Sequence, residues 1–267
     1  MNWISNHRRA MARVLAMCVA TAFFYLLWLL ISPLLMASVR ASYAWRNFNC
    51  RRWARVTAAL LGMRISVKGT PPEAPFFLVS NHLSYLDILV FAVQTDCLFI
   101  AKSEVASWPV FGFLSRSMGT IFVNRNRRRD VLRVNALLEM ALACGKGVLL
   151  FPEGTSSAGN GVLPFHSGLL EPGVKAAYPV SYASVTYETP PDQPPAPVSV
   201  CWWGDMTFLS HFYRLLQLKT FDACVVFGSH SIRADDRKTL AQSLRQAIQE
   251  EFKCLVLTEE QCKITTP

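Results

Sequence analysis

Between Arg13 and Arg40 the chain runs for 26 residues without a charged side chain, VLAMCVATAFFYLLWLLISPLLMASV. About 20 apolar residues are enough for a helix to cross a hydrocarbon core, so this segment belongs in or on a membrane. A secretory signal peptide shares the basic start, and Val39-Arg40-Ala41 has the look of a cleavage site, but an apolar stretch of about 7–15 residues is usual there. Pro33 interrupts the run and breaks or kinks a helix, because it offers no N–H. Basic residues flank both ends: His7, Arg8, Arg9 and Arg13 before, then Arg40, Arg46, Arg51, Arg52 and Arg55 after. A single crossing would leave one cluster on the wrong side. The pattern fits a re-entrant or interfacial helical hairpin better. Its second helix, residues 41–62, is amphipathic, with arginines on one side and Trp45, Phe48 and Trp53 at the level of the headgroups.

The formal net charge is +9, and its distribution says more than its size: the first 72 of 267 residues hold ten Lys or Arg and no Asp or Glu. The excess positive charge lies beside the most apolar segment, where anionic lipid would attract it. Nucleic acid is disfavoured as a partner, since a phosphate-tracking arm has no use for such apolar area. The eight cysteines show no C-x-x-C spacing and several sit in apolar runs, which fits reduced packing residues and neither a disulfide framework nor a metal site.

From Met63 onward, β-rich runs alternate with helical ones. Strands are expected at 63–68, 76–80, 97–101, 119–123, 147–151, 179–187, 198–203 and 222–228, and helices at 84–94, 128–144, 206–217 and 234–252. Apolar strands flanked by helices predict an α/β fold with a mixed, mostly parallel sheet covered by helices. The domain reading is 1–62 for the membrane-anchoring two-helix segment and 63–267 for the α/β domain, with the Pro-rich stretch 190–197 as a surface loop.

Three stretches could carry chemistry. In SNHLSYLD, residues 80–87, a strand ends just before His82, with Asp87 five positions on. On a regular helix those two would lie about 140° apart. They can meet if His82 comes from a loop and Asp87 from the first helical turn, with Ser84 as the N-cap; the carboxylate would then orient the imidazole as a base. Taken alone, His-x4-Asp is weak evidence of a catalyst and reads more often as a structural helix start. In VLLFPEGTSS, residues 148–157, a buried strand opens into a loop where Glu153 could orient a substrate hydroxyl, and amides near Gly154 and Thr155 could meet a phosphate or a carbonyl oxygen. An ordinary strand exit reads the same way. In GTIFVNRNRRRD, residues 119–130, a strand delivers Asn124 and Arg125 to the same edge, and a guanidinium can grip an anion with two N–H groups.

Together these stretches resemble the glycerophospholipid acyltransferase family, whose type member is 1-acylglycerol-3-phosphate acyltransferase. Asn81-His82 followed by Asp87 is similar to its first motif, Gly119 through Arg125 to its second, Phe151-Pro152-Glu153-Gly154-Thr155 to its third and Tyr178-Pro179-Val180 to its fourth. The likeness spans residues 63 to about 185 in order and approximate spacing, and the family's two-helix membrane module fits residues 8–62. It implies a lyso-lipid whose free hydroxyl attacks the thioester of acyl-CoA or acyl-carrier protein, with no metal or redox cofactor. His82 would be the general base and Asp87 its partner. Arg125 would hold the headgroup, Glu153 the glycerol-like portion, and Pro179 the wall of the acyl site, with Asn81, Asn124, Gly154 and Thr155 also at the substrate. The cytoplasmic face of a bacterial inner membrane is the expected location.

Two departures bear on the acceptor. Ser156 stands where relatives often carry Arg, and His166 where they often carry Lys, so the pocket is less positive than a phosphomonoester site. Lysophosphatidate is the first acceptor expected, and lyso-ornithine or another aminolipid the second, since the PEGTSS variant is similar to acyltransferases of that kind. A serine hydrolase would need a G-x-S-x-G elbow, which the sequence lacks. A non-catalytic membrane-binding protein would give His82, Asp87, Glu153 and Arg125 no reason to converge.

Overall fold

Phe76–Ser80 and Gly147–Leu150 are buried along their whole length, so both faces of these strands must be covered. A computed structural model describes residues 3–253 and 255. In it these two strands are neighbours inside a seven-stranded sheet. In chain order the strands are β1 (Met63–Lys68), β2 (Phe76–Ser80), β3 (Cys97–Lys102), β4 (Ile121–Val123), β5 (Gly147–Leu150), β6 (Val180–Glu188) and β7 (Phe221–Phe227). The helices are α1 (Trp3–Ile31), α2 (Val39–Leu61), α3 (Asp87–Gln94), α4 (Phe111–Ser117), α5 (Arg128–Ala143), α6 (Glu171–Lys175), α7 (Ala196–Ser199), α8 (Phe208–Gln217) and α9 (Arg237–Glu251).

The sheet order is β1-β7-β6-β2-β5-β3-β4, parallel at every pairing except β6 with β7. The mixed, mostly parallel sheet expected from the sequence is therefore present. Its main consequence is that β2, β5, β3, β4 and β6 all point the same way, so residues 81–87, 124–125 and 151–155 leave the sheet at one edge. In open parallel sheets that carboxyl edge is where ligands bind.

The same topology separates one expected residue from the others. β6 runs parallel to β2 with Val180 beside Phe77, so Pro179 precedes that strand at the opposite edge. At about 3.3 Å per residue it lies roughly 20 Å from His82, apart from the loops at the carboxyl edge. Residues 198–203 are not a strand. Pro195 and Pro197 start the short α7, since a proline in the first helical turn sacrifices no hydrogen bond. The β-branched and aromatic residues after it then run as irregular chain whose backbone pairs with loops: Trp202 N–H donates to the Leu83 carbonyl (2.9 Å) and the Val200 carbonyl accepts from Ser84 Oγ (2.8 Å).

The N-terminal helices form a hairpin. α1 gives way to a 3-10 turn at Ser32–Leu35, where Pro33 sits; Ser38 caps α2 by accepting the Ala41 N–H, and Gly62 ends it at φ 76°. Gly62 is needed there because a Cβ would meet the Lys219 carbonyl oxygen at 2.5 Å. The hairpin lies along the α/β unit. Trp53 Nε1 donates to Thr21 Oγ1 (3.1 Å), so that indole packs inward against α1 and not at a headgroup, while Arg51 pairs with Asp96 (2.7 Å).

The basic residues before the apolar run are likewise not all left for lipid. Arg9 donates to the Gln217 carbonyl (2.7 Å), and Arg13 to those of Leu216, Leu218 and Lys219 (3.0, 2.5 and 2.9 Å). These carbonyls lie at the C-terminal end of α8, where the last turn of a helix leaves acceptors unpaired and its dipole favours a cation. Arg8, Arg40, Arg52 and Arg55 remain exposed. Of the cysteines, Cys97 and Cys201 are buried and all six described ones are free thiols; Cys254 and Cys262 lie outside the described residues.

Candidate active site

β2 ends at Ser80, and α3 begins at Asp87 with Leu86 as an N-cap that supplies no side-chain bond. Ser84 is not the cap expected, because its hydroxyl points to Val200. The loop between is organised from the other direction, by the carboxylate of Asp87. Its Oδ2 accepts from His82 Nδ1 (2.7 Å), the Leu83 N–H (2.8 Å) and the Ser84 N–H (3.1 Å), and its Oδ1 from the Tyr187 hydroxyl (2.6 Å). Asp87 is wholly buried, and this set of donors is what makes a buried carboxylate tolerable. Burial, with Asp87 beside it, holds the Tyr187 phenol well above its ordinary range, so it remains a donor.

With Oδ2 already an acceptor for two backbone N–H groups, the proton of the imidazole belongs on Nδ1, leaving Nε2 with a lone pair. Nε2 has no hydrogen-bond partner among the described residues, and the side chain keeps 22% exposure. The ring stacks on Phe151 at 4.4 Å between centroids and 18° between planes. An imidazole oriented by a buried acid, braced by an aromatic ring and open at its other nitrogen can remove a proton from an arriving hydroxyl.

The loop after β5 closes round this group. Glu153 Oε1 accepts the His82 N–H (3.1 Å), Ser157 N–H donates to the His82 carbonyl (3.0 Å), and Ser156 Oγ donates to the Trp202 carbonyl. Glu153 is only 3% exposed: its Oε1 braces the backbone of His82, while Oε2 is enclosed with no partner among the described residues. Burial pushes its carboxyl up to about 8, against the opposing pull of the His82 and Leu163 N–H groups and with a further push from Asp87. An unperturbed glutamate titrates near 4.3. Folding therefore retains a proton that the unfolded chain releases, and the native state loses stability as pH rises from about 4.3 to about 8. The Glu153→Gln chain, whose amide oxygen can still accept the His82 N–H, is expected to lose that slope; thermal unfolding followed across this window should show a flatter profile than the parent.

Arg125 follows β4 at the same edge. Its Nη2 donates to the Phe151 carbonyl (3.2 Å), while Nε and Nη1 are enclosed with no partner, and burial pulls the guanidinium below its ordinary value. Its Nη1 lies where a side chain on residue 154 would be, 2.1 Å from a Cβ built there. Gly154, at φ 77°, thus serves both the turn and the cation. Thr155 and His166 are exposed on the rim.

Two expected substrate residues have other work. Asn81 is buried and spends both ends of its amide on the backbone of Val185, at 2.9 and 2.8 Å, continuing the pairing of β2 with β6. Asn124 shapes the turn into α5: its N–H donates to Asp130 (2.6 Å) and its Oδ1 accepts from Asn126 (3.1 Å). Sequence reasoning missed Tyr187 and the ring of Phe151, although both lie in stretches it had singled out.

Comparison with known proteins places the chain in a family. A family model described as Acyltransferase covers residues 64–188, which includes His82, Asp87, Arg125, Glu153 and Tyr187. The lyso-ornithine lipid O-acyltransferase of Rhodobacter capsulatus is 34% identical over 201 residues, spanning 73% of this chain and 72% of that protein. The chain belongs to the acyltransferase family. The 1-acyl-sn-glycerol-3-phosphate acyltransferase of Neisseria meningitidis is similar too, at 30% identity over 76% of this acyltransferase and 80% of its relative. In fold, the acyltransferase is similar to the crystal structure of the 1-acyl-sn-glycerophosphate acyltransferase of Thermotoga maritima, with a TM-score of 0.71 and 18% identity over 94% of this chain and 96% of that one. The family match ends at Glu188, so α8 and the segment after α7 lie beyond it.

Proposed function

We propose that this acyltransferase moves a fatty acyl group from the thioester of acyl-CoA or acyl-carrier protein to the free hydroxyl of a lyso-lipid at a membrane surface. His82 Nε2 takes the hydroxyl proton as the oxygen attacks the thioester carbonyl. The C–S bond then breaks and the leaving thiolate recovers the proton, so no acyl-enzyme forms. The observation that carries this reading is the His82–Asp87 pair, with Nδ1 committed to a fully buried carboxylate and Nε2 unengaged. The thioester supplies the driving force, so the reaction calls on neither metal nor redox cofactor.

The placement of α1 supports action from the surface. Ile4–Leu35 is long and apolar enough to cross a membrane. Arg9 and Arg13, however, bind the end of α8, Thr21 meets α2, and Tyr25 meets Phe113 of α4 at 5.3 Å between ring centroids. One side of α1 thus meets α2 and, in the α/β unit, α4 and α8, as in a helix lying in the interface. The cytoplasmic leaflet of a bacterial inner membrane is the location this implies for an enzyme using soluble acyl donors.

Lysophosphatidate fits Arg125 as acceptor. A second acceptor is favoured by a specific observation: among the described residues around Gly154 the enclosed cation is Arg125, and Ser156, whose hydroxyl turns to Trp202, adds no charge. One cation suits the single carboxylate of an aminolipid better than a phosphomonoester dianion, in keeping with the names of the relatives from Rhodobacter capsulatus and Brucella abortus. The test is transfer from a radiolabelled acyl thioester to a panel containing lysophosphatidate and lyso-ornithine lipid, with product masses read directly. Arg125→Ala is expected to raise the KM of the true acceptor about tenfold or more, the value of a lost charge-assisted pair, with a smaller fall in kcat.

A further inference from the structure

Four large apolar side chains stand exposed where two helices begin: Val110 (64%), Phe111 and Phe113 at the start of α4, and Leu209 (78%) at the start of α8. The two helix starts are far apart in sequence but meet in space. Phe111 meets Phe208 at 5.0 Å between ring centroids, and Phe113 meets Tyr25 of α1 at 5.3 Å. Phe208 in turn meets Tyr85 at 5.1 Å, and Tyr85 belongs to the loop that carries His82. The exposed rings thus form the outer end of an aromatic path that leads inward to the loop of the candidate base.

Val110 also adopts φ 62° with ψ −58°, a conformation that is strained for a β-branched residue and persists only where surrounding structure enforces it. The enforced conformation leaves its apolar side chain outside. On α1, Met11, Leu15, Val19, Phe23, Leu26 and Leu30 are likewise exposed, and their spacing of four, four, four, three and four places them on one face. Tyr25, the residue that meets Phe113, borders that face. The patch is therefore continuous with the apolar side of α1, and no acidic residue in the first 72 would repel an anionic surface.

We propose that Val110, Phe111, Phe113 and Leu209 form a second membrane contact, which enters the same phospholipid leaflet as the outer face of α1 and sets the loop of His82 at the lipid surface. Continuity with the apolar face of α1, beside a basic N-terminal segment, favours a lipid leaflet as the occupant over a protein partner. The inference rests on the lyso-lipid reading for its purpose. Its test therefore reads membrane binding and acyl transfer separately.

The full chain is mixed with vesicles of phosphatidylethanolamine and phosphatidylglycerol, and partition is measured by flotation for the parent, Leu209→Asp, Val110→Asn and Leu132→Asp. Leu132 is an exposed leucine on α5 and controls for the added charge. Leu209→Asp is expected to weaken partition about tenfold, as one aliphatic side chain is withdrawn from lipid and a charge put in its place. It should raise the apparent KM for a vesicle-borne acceptor by a similar factor while transfer to a short-chain, water-soluble acceptor is unchanged. Val110→Asn should weaken partition less, and Leu132→Asp not at all. A fluorescent amino acid introduced at residue 110 should be quenched by doxyl-labelled phosphatidylcholine. Absence of quenching, parental partition of Leu209→Asp, or equal losses in Leu209→Asp and Leu132→Asp would overturn the proposal. Failure of the parent to acylate any lyso-lipid would instead remove the proposed function, with the partition comparison still deciding the membrane contact.

Discussion

The His82→Ala chain is expected to lose about 10³-fold in kcat/KM, within the 10²- to 10⁴-fold that a positioned base contributes, while its unfolding temperature moves by only a few degrees. The separation of the two effects follows from how the residue is held. Its backbone, and not its ring, makes the contacts that organise the loop: the N–H to Glu153, and the carbonyl to Ser157. Alanine keeps both. The ring contributes its stack on Phe151 and one bond to Asp87, and Asp87 still receives three donors when it is gone. Product formation measured by mass spectrometry, beside thermal unfolding of the same preparation, checks both. Unaltered transfer would refute the base assignment; a large fall in unfolding temperature would show that the ring carries structure as well.

Local pattern revealed the centre of this molecule better than its periphery. β2 and β5 are short apolar runs closed by polar or turn residues, and both were legible to within a residue because nothing outside them decides their ends. α5 was legible for a similar reason, its apolar positions recurring at helical spacing. The meeting of His82 with Asp87 was legible as a loop followed by a first helical turn.

What could not be read was set by neighbours. Nothing in Tyr178-Pro179-Val180 says which way β6 runs, and direction alone moves Pro179 to the far edge and brings Tyr187, at the strand's other end, to Asp87. Arg9 and Arg13 look like any lipid-facing basic cluster until α8 supplies carbonyls more than 200 residues away. The run 198–203 has the composition of a strand, yet its N–H groups turn back to Pro195 and Ala196 and, at Trp202, go to the loop of His82, whose Ser84 bonds the Val200 carbonyl. Asn81 and Glu153 are buried, and the bonds they make to backbone, both ends of the Asn81 amide to Val185 and Glu153 Oε1 to His82, depend on strands and loops distant in sequence.

Asp87 should behave differently from His82 when removed, since it carries both the chemistry and the architecture. Asp87→Ala withdraws the acceptor from the Leu83 and Ser84 N–H groups, the Tyr187 hydroxyl and the imidazole together, in a place with no exposure to water. Stranding buried partners of a charged group costs about 3–5 kcal/mol, a large share of the roughly 5–15 kcal/mol by which a protein is stable. The unfolding temperature should fall by on the order of 10 °C, and acyl transfer should disappear. Asp87→Asn keeps an oxygen for the two backbone donors and a group that the Tyr187 hydroxyl can turn to accept from, so most of the stability should survive. It has no charge with which to stabilise the imidazolium that forms when His82 takes the hydroxyl proton, and kcat should still fall by about 10²-fold or more. Unfolding followed by circular dichroism and turnover measured on the same two preparations would resolve the two roles. An alanine chain as stable as the parent would show that the loop is held by something other than this carboxylate, and an asparagine chain with full turnover would show that its charge takes no part in the reaction.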